Sequence, residues 1–462
     1  MAYDRTATNT SSNCEIAAEA VHATKQPWHP LSAGQLSPWF HYRVAPESQG
    51  AHNPGMCMRV RGTLDCTHLA SALRTLIARH PMLTAEFSEI DGQPVQRVRP
   101  DAVPEIVRID ARSFTTEQLI KAVDETMRTA FDLHAPPHMR VCIYDTGPDE
   151  AALLLAFDHI VCDGWSFWLL LEELGELLSE PAGVAPANQT NDVTVQYFDY
   201  IEVQRQALAG AKGEQQWDYW RHQLKNLPAL DLPVDRPQRP SVGYRGGTLI
   251  FMLDPALTAQ VKQLSAANAG SAFSTLLAAF QVLLHRISGQ DEVVIGTVMP
   301  ARGTGEWDRV VGQFINPVVL RADLSNEPTV RAVLRATRNT AMLALKNQDF
   351  PFSTLVQRLG LARDSNRHPM FQVMYNFQKA RHGQDLLTLW AGDESAPPVR
   401  WGGLDLTTFP SADSDGLFDL TLEVMDLGDR IRAGLKYNAD LFDAATVERM
   451  ASNFTTLLAA MV

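Results

Sequence analysis

Short apolar runs alternate along this chain with longer segments in which apolar residues recur at helical spacing. Runs of strand length predict strands at 151–156, 248–253 and 293–298. Longer segments, apolar on one face or on most sides, predict helices at 165–178, 273–287 and 444–461. Helices that alternate with strands in this way are typical of α/β domains, in which helices cover a sheet.

The chain divides near its middle. Its 462 residues are too many for one hydrophobic core and suit two domains of about 200 residues each. Residues 226–247 contain four prolines and three glycines and predict a linker. We therefore expect a flexible polar tail at 1–27 and two lobes at 28–225 and 248–462. A second Gly/Pro-rich stretch, 391–403, predicts a loop that crosses between the lobes.

Charge and composition exclude several partners. The formal net charge is −13 and 20% of the residues are charged. An acidic protein is repelled by nucleic acid and by an acidic membrane surface, so neither is expected as the main partner. No apolar run approaches membrane-spanning length, and residues 1–30 do not resemble a secretory leader.

Cysteine usage and motif content argue against a bound cofactor. The five cysteines are odd in number and show neither metal-ligand spacing nor a disulfide framework, which fits a reducing cytoplasm. No Gly-rich phosphate loop or ligand cluster marks a metal or nucleotide site. The sequence therefore predicts a cytoplasmic protein with no permanently bound cofactor and no metal.

Candidate chemistry is concentrated at 157–166, which reads Phe-Asp-His-Ile-Val-Cys-Asp-Gly-Trp-Ser. His159 follows the predicted strand, and Asp163 and Gly164 lie at the start of the next helix. We expect Gly164 to take a positive φ there, and Asp163 or Ser166 to cap the helix. A neutral imidazole in this loop would be a suitable proton acceptor near pH 7. Taken alone, a His near an Asp is more often structural than catalytic.

The same ten residues resemble the His-His-x-x-x-Asp-Gly motif of nonribosomal peptide synthetase condensation domains. They also resemble the shorter His-x-x-x-Asp-Gly motif of chloramphenicol acetyltransferase. His159, Asp163 and Gly164 match, whereas Asp158 replaces the first His. Further segments resemble the other condensation-domain motifs in the right order: 31–40, 79–83, 197–204, 311–316, 347–352 and 363–371.

The resemblance implies a fold and an activity. The fold is two chloramphenicol-acetyltransferase-like lobes in a V-shaped arrangement, each a mixed sheet covered by helices, with the site at their junction. The activity is transfer of an acyl or peptidyl group from a carrier-protein thioester to an amine or alcohol, as in antibiotic biosynthesis. We expect ester formation to be favoured, and the partners to be an acyl or peptidyl carrier protein with its phosphopantetheine arm and a small-molecule acceptor or second carrier protein.

The start at Met1 and the end soon after the last predicted helix lead us to expect a free-standing monomer. Carrier proteins are usually acidic, so an acidic chain needs a local basic patch to bind one. No run of Lys or Arg in the sequence marks such a patch.

The resemblance also assigns roles to individual residues. His159 is the expected general base, and the backbone N–H of Gly164 is expected to face the developing oxyanion. Asp163 is expected to pair with Arg302 and fix the loop, and Asp158 to be structural. Trp165, Ser166 and Asn376 are expected to line the substrate tunnel. Cys162 is expected to act as a small hydrophobic residue and not as a nucleophile.

Other interpretations stay open at this point. Asp158, Asp163 and Ser166 also spell the Asp-x-x-x-x-Asp-x-x-Ser motif of heterocyclisation domains, although those domains normally lack the His that is present here. A non-catalytic platform that recruits enzymes to a loaded carrier is another possibility. An epimerisation domain shares the long motif, but its second acidic motif is not found.

Overall fold

The structure, a computed structural model, describes residues 12–14, 26–44, 50, 53–180, 195–237, 245–303, 305–361, 368, 370–379, 384–394, 396–410 and 418–462. Most of the expected tail, the middle of the expected linker and most of the motif at 363–371 lie outside these residues. Three residues of the expected tail, Ser12–Cys14, form a strand.

The strands, in chain order, are β1 Ser12–Cys14, β2 His29–Pro30, β3 Gly55–Arg61, β4 Ala85–Ile90, β5 Gln93–Val98, β6 Ile106–Asp110, β7 Met139–Gly147, β8 Glu150–Phe157, β9 Gly246–Leu253, β10 Glu292–Met299, β11 Asn316–Asp323, β12 Val373–Gln378, β13 Val399–Trp401, β14 Leu404–Thr408, β15 Leu420–Asp426 and β16 Ile431–Asn438. The helices are α1 Ala33–Val44, α2 Cys66–Arg79, α3 Thr116–Met127, α4 Gly164–Ser179, α5 Tyr197–Ala209, α6 Ala211–Gln223, α7 Pro255–Ala267, α8 Ala272–Ser288, α9 Val330–Lys346, α10 Phe352–Arg358, α11 Gln384–Trp390 and α12 Ala444–Met461.

The chain forms two compact units, each assembled from separate segments. The first contains residues 1–204, 302–314 and 380–412, and the second contains 205–301, 315–379 and 413–462. The sequence predicts two continuous lobes instead. The difference arises because the late segments 302–314 and 380–412 bond to residues of the first unit, and residues 205–225 pack with the second.

The first unit is built on a seven-stranded sheet of order β1-β6-β7-β8-β3-β14-β13. The pairing of β6 with β7 is parallel and the other pairings are antiparallel, so the sheet is mixed. β8 lies at its centre and is buried over almost its whole length, because Ala151–Phe157 has no polar side chain. A buried central strand gives a fixed platform for the loop that follows it.

The second unit is built on a six-stranded sheet of order β11-β10-β12-β15-β16-β9. The pairings of β10 with β12 and of β12 with β15 are parallel, and the others are antiparallel. Its core combines buried side chains of α8 and α12 with those of β10, β15 and β16. Two mixed sheets covered by helices confirm the predicted α/β class.

Within the described residues, no single helix is both long and apolar enough to cross a membrane. Only α7 and α8, bent by 101° at the break between them, meet that test when they are taken together.

Candidate active site

The loop between β8 and α4 carries the candidate chemistry. Asp158 is buried, and its Oδ1 accepts a hydrogen bond from the backbone N–H of Ile160 at 2.9 Å. The carbonyl of Asp158 accepts from Val161 N at 3.2 Å, which closes the turn. Asp158 therefore shapes the loop that presents His159.

His159 is half-buried, and its tautomer follows from a single contact. Its Nδ1 lies 2.9 Å from the carbonyl oxygen of Cys162. A carbonyl oxygen only accepts hydrogen bonds, so Nδ1 carries the hydrogen and Nε2 keeps its lone pair. Desolvation lowers the pKa of His159 below 6.5, although the charge of Asp163 and the backbone contacts act in the opposite direction. The imidazole is thus neutral near pH 7, with Nε2 able to accept a proton.

Asp163 is fully buried and its carboxylate is committed to the protein. Oδ1 accepts from Ser166 N at 2.8 Å, which makes Asp163 the N-cap of α4. Oδ1 also accepts from Arg302 Nη2 at 2.9 Å, and Oδ2 accepts from Phe314 N at 3.1 Å. With both oxygens bonded in this way, Asp163 holds the loop, the helix and the segment 302–314 together.

Arg302 is the expected partner of Asp163, and it has more contacts than the sequence indicates. Nη1 donates to the carbonyls of Trp307 and Val310, each at 2.7 Å. Nη2 also donates to Ser166 Oγ at 2.8 Å, and the guanidinium lies 4.0 Å from the ring centre of Phe314. The single arginine therefore fixes the segment 302–314 against the start of α4.

Two expectations for the start of α4 are modified by the structure. Gly164 is the first residue of α4 and does not have a positive φ, so that prediction is wrong; Asp163, as the N-cap, forms the corner in extended conformation instead. Ser166 is fully buried and its Oγ bonds to the backbone of Gly312, so it does not line an open tunnel. Trp165 is half-buried, and its Nε1 donates to the carbonyl of Asp308 at 2.8 Å.

Gly164 still suits the role expected of its backbone. As the first residue of a helix, its N–H has no intrahelical acceptor, and it lies at the positive end of the helix dipole. A Cβ at this position would meet no atom within 4 Å. Neither backbone conformation nor packing therefore requires glycine here, and the position of a Cβ on this exposed residue is open space.

The motifs that flank the loop in the sequence bond to it or to one another in the structure. Gln35 Nε2 donates to the carbonyl of Ile160 at 3.1 Å. The hydroxyl of Tyr197 donates to the carbonyl of Gln313 and lies 2.7 Å from Ser32 Oγ. A Cβ on Gly312 would lie 2.1 Å from the ring of Tyr197, so only glycine fits there. These motifs form the frame that holds the loop.

A buried charged cluster near this frame is absent from the sequence-based expectations. Glu173 of α4 accepts from His80 Nε2 at 2.9 Å and from Arg309 Nη2 at 2.8 Å. Burial alone would raise the pKa of Glu173, but His80, Arg309 and Arg79 outweigh it and lower that pKa. The sequence offers two separate signals for this cluster. Glu173 is an acid among the apolar positions of α4, and Arg79 and His80 are adjacent in a different motif.

In the second unit, Asn316 organises another of the predicted motifs. Its Nδ2 donates to the carbonyls of Gln348 and Phe350, each at 2.8 Å, and its Oδ1 accepts from Phe352 N at 2.9 Å. Asn316, at the end of the motif 311–316, thus fixes the backbone of the motif 347–352.

Asn376 lies on β12 in the second unit and is half-buried. Its Oδ1 is buried and has no hydrogen-bond partner in the described part of the chain. A buried acceptor without a donor is costly unless a ligand or water supplies one. This feature agrees with a substrate-lining role for Asn376, which stays a prediction.

Cys162 has the environment of a packed side chain. It is fully buried, and its Sγ donates to the carbonyl of Asp163 at 3.5 Å. Burial, together with the charge of Asp163, raises the pKa of the thiol well above 9.0. A thiol that resists ionisation is a poor nucleophile. Within the described residues no group of three or more His, Cys, Asp or Glu side chains is placed to hold a metal ion.

Comparisons with known proteins identify the family of the chain. Residues 25–462 match the condensation domain family. The chain is 35% identical to a linear gramicidin synthase protein of Brevibacillus parabrevis over 442 residues, which is 94% of this chain and 8% of that synthase. It is 32% identical to the phosphinothricin tripeptide synthetase PhsB of Streptomyces viridochromogenes, covering 93% of this chain and 35% of that protein.

Solved structures show the same fold. The X-domain from teicoplanin biosynthesis has a TM-score of 0.80 at 25% identity, with 96% of each chain covered. The chain spans a small part of the synthetases that it matches in sequence, so their overall products are not assigned to it. From the match over nearly its whole length, we conclude that this chain belongs to the condensation domain family of nonribosomal peptide synthetases.

Proposed function

We propose that this protein transfers an acyl or peptidyl group from a carrier-protein thioester to a small amine or hydroxyl acceptor, with ester formation favoured. The observation that carries this proposal is the tautomer of His159. Its Nδ1 donates to the Cys162 carbonyl, which leaves a neutral Nε2 as proton acceptor. Condensation domains generally transfer acyl or peptidyl groups, and the donor thioester is held on a phosphopantetheine arm.

The reaction needs a proton acceptor and a site for negative charge. Nε2 of His159 takes the proton of the acceptor hydroxyl or amine as it attacks the thioester carbonyl. The backbone N–H of Gly164 then stabilises the tetrahedral oxyanion. As the intermediate collapses, the proton leaves with the pantetheine thiol. Trp165, which follows Gly164 at the start of α4, contacts the substrates.

Heterocyclisation fits the geometry less well. That reaction would use Asp158, Asp163 and Ser166, but Asp163 and Ser166 are fully buried and bonded to Arg302 and to the backbone of 312–314. A non-catalytic platform needs no proton acceptor, whereas this loop fixes the tautomer of a histidine.

The first test is product formation. The protein is incubated with an acyl-loaded carrier and a panel of alcohols and amines, and products are detected by mass spectrometry. We expect esters with selected alcohols and none with His159→Ala. Products formed only with amines would refute the ester preference, and absence of transfer from any carrier would refute the proposed activity.

The second test separates chemistry from folding. His159→Ala should lower kcat by roughly 10²–10⁴-fold, the usual contribution of a general base. Its melting temperature should stay close to that of the unaltered protein, because the change removes a half-buried side chain and leaves the bonds of Asp158 and Asp163 that shape the loop in place. A folded His159→Ala protein with unchanged turnover would eliminate the general-base role.

A further inference from the structure

The outward face of α9 carries an arrangement of side chains found in no other described helix of this chain. Arg331, Arg335, Arg338, Met342 and Leu345 are spaced so that they form one stripe along the helix. At 1.5 Å per residue the stripe is about 21 Å long. The opposite face is buried through Val333, Leu334, Thr337, Ala341 and Ala344.

The charge of α9 is opposite to that of the whole chain. Its 17 residues include three arginines and one lysine, and no acid. The whole chain has 53 acidic against 40 basic residues. None of these four cations is within ion-pair distance of a described carboxylate, whereas many arginines elsewhere in the described residues have such a partner. Their charge is therefore available to another molecule.

α9 also exposes apolar side chains, Met342 and Leu345 on the stripe and Leu343 beside it. Met342 is 61% exposed, Leu343 49% and Leu345 48%. Together with Val330, they are four of the eleven large hydrophobic residues that are exposed in the described part of the chain. Exposed apolar groups clustered beside arginines are typical of protein interfaces, in which Met and Arg are enriched and Lys and Glu are depleted.

The stripe is held in a defined position. Thr329 caps the N-terminus of α9 by accepting from Ala332 N, and Thr337 donates to Gln281 of α8 at 2.7 Å. Arg338 donates to the carbonyl of Asn268 and to Asn339, which orients its guanidinium. A rigid presentation reduces the entropy lost when a partner binds.

We propose that this face of α9 (Arg331, Arg335, Arg338, Met342 and Leu345) is a docking surface for the acidic carrier protein that delivers the thioester. The proposal rests on the proposed function and names the contact that it requires. Charge complementarity favours an acidic partner over a second copy of this chain, because two copies would each bring the same cationic stripe. The apolar end of the stripe gives a carrier helix an uncharged contact next to the ionic one.

The test compares a carrier-bound substrate with a small one. The double variant Arg331→Glu/Arg335→Glu should raise KM for an acyl-loaded carrier by at least about tenfold, since it replaces attraction by repulsion. With the same acyl group on N-acetylcysteamine, which has no carrier surface, kcat/KM should be unchanged. Met342→Ser/Leu345→Ser should raise KM for the carrier in the same selective way.

A matched control carries the same change in charge elsewhere. Arg74 on α2 and Arg286 on α8 are exposed, and neither is within ion-pair distance of a carboxylate in the described residues. Arg74→Glu/Arg286→Glu also takes the net charge from −13 to −17. This control should keep the KM for the carrier close to that of the unaltered protein. An equal rise in KM in control and test variants, or an equal loss with both thioesters, would overturn the proposal.

Direct binding separates this proposal from the proposed activity. A panel of holo carrier domains, fluorescently labelled on the pantetheine thiol, is titrated with the protein and followed by anisotropy. Weaker binding to Arg331→Glu/Arg335→Glu than to the control supports docking at α9 even if no acyl transfer is found. Unchanged binding to the variant, no carrier binding at all, or selective loss of binding to phosphatidylglycerol vesicles with carrier binding retained would refute it.

Discussion

At the residue scale, the proposed chemistry depends on which nitrogen of His159 carries the hydrogen. The Cys162 carbonyl fixes it on Nδ1, so the other nitrogen can act as a base without rearrangement. The loop achieves this with its own backbone, and the neighbouring carboxylate of Asp163 is used for structure. The position of Asp163 in the motif therefore reflects the folding of the loop more than proton transfer.

Asp163→Asn tests that division of roles. The amide keeps one acceptor oxygen, but its NH₂ group must then face either Phe314 N–H or the Arg302 guanidinium, both of which are donors. The buried charge of Arg302 also loses its counterion, which typically costs about 3–5 kcal/mol. Urea denaturation should show this loss together with lower activity. A variant of full stability that is inactive would indicate a chemical role for Asp163.

Asp158→Asn is expected to stabilise the protein at neutral pH. Burial raises the pKa of Asp158 from 3.8 to about 6, although the N–H of Ile160 and the charge of Arg140 oppose the rise. As pH increases from 3.8 to 6, the unfolded chain loses this proton first, so the fold loses about 3 kcal/mol. Asn keeps the acceptor for Ile160 N and carries no charge. Its free energy of unfolding at pH 7.5 should rise, and a decrease would contradict this account.

Because of His138, Asp158→Asn should also differ from the unaltered protein in stability at acid pH. Burial lowers the pKa of His138 from 6.5 to about 4, although its contact with the Ala85 carbonyl opposes the shift. As pH falls from 6.5 to 4, the unfolded chain takes up the proton first and the fold loses about 3 kcal/mol. In the unaltered protein Asp158 offsets this loss. Asp158→Asn should therefore be more acid-sensitive than the unaltered protein when the two are compared at pH 4.5 and 7.5.

The sequence identifies the residues of the loop more readily than their contacts. Spacing and resemblance name His159, Asp163 and Arg302, but they place Ser166 in the tunnel, although it is buried against Gly312. The partner of Ser166 is 146 residues away in the sequence. No local pattern indicates that a polar side chain will bond to a partner so distant in the sequence.

At the element scale, hydrophobic periodicity locates to within two residues the six helices and strands for which it predicts bounds. The predicted helix 273–287 is observed as Ala272–Ser288, and the predicted strand 151–156 as Glu150–Phe157. The pairing of the strands is out of reach, because β14 joins β3 at a separation of more than 300 residues. Register between such distant strands depends on packing of the whole unit, which local patterns do not contain.

Two glycines near the site are expected to respond differently to substitution. Gly312→Ala places a Cβ 2.1 Å from the Tyr197 ring, which cannot move without breaking its hydrogen bonds to Ser32 and Gln313. The melting temperature of Gly312→Ala should fall by several degrees. Gly164→Ala meets no neighbour and should keep or raise the melting temperature, since Ala favours helix, while turnover falls because the methyl group occupies the oxyanion's space. Equal melting temperatures for the two variants would contradict this assignment.

At the scale of the whole molecule, net charge conceals a local opposite charge. The value of −13 describes the average surface, and the basic residues of α9 are separated along the sequence by helical spacing, so no run of Lys or Arg reveals them. Each unit is likewise assembled from segments that are far apart in the sequence. Helical spacing aligns the residues of the proposed docking surface, and the frame around His159 depends on residues that are far apart in the sequence.

The pH dependence of kcat/KM tests the central claim, that neutral His159 is the base. An alcohol acceptor and an N-acetylcysteamine thioester are used, because neither titrates in the range studied. Activity should fall as pH decreases through an apparent pKa below the ordinary imidazole value of 6.5, since protonation removes the lone pair on Nε2. His159→Ala should show a low rate without this acidic limb. The same limb at a similar rate in His159→Ala would contradict the account.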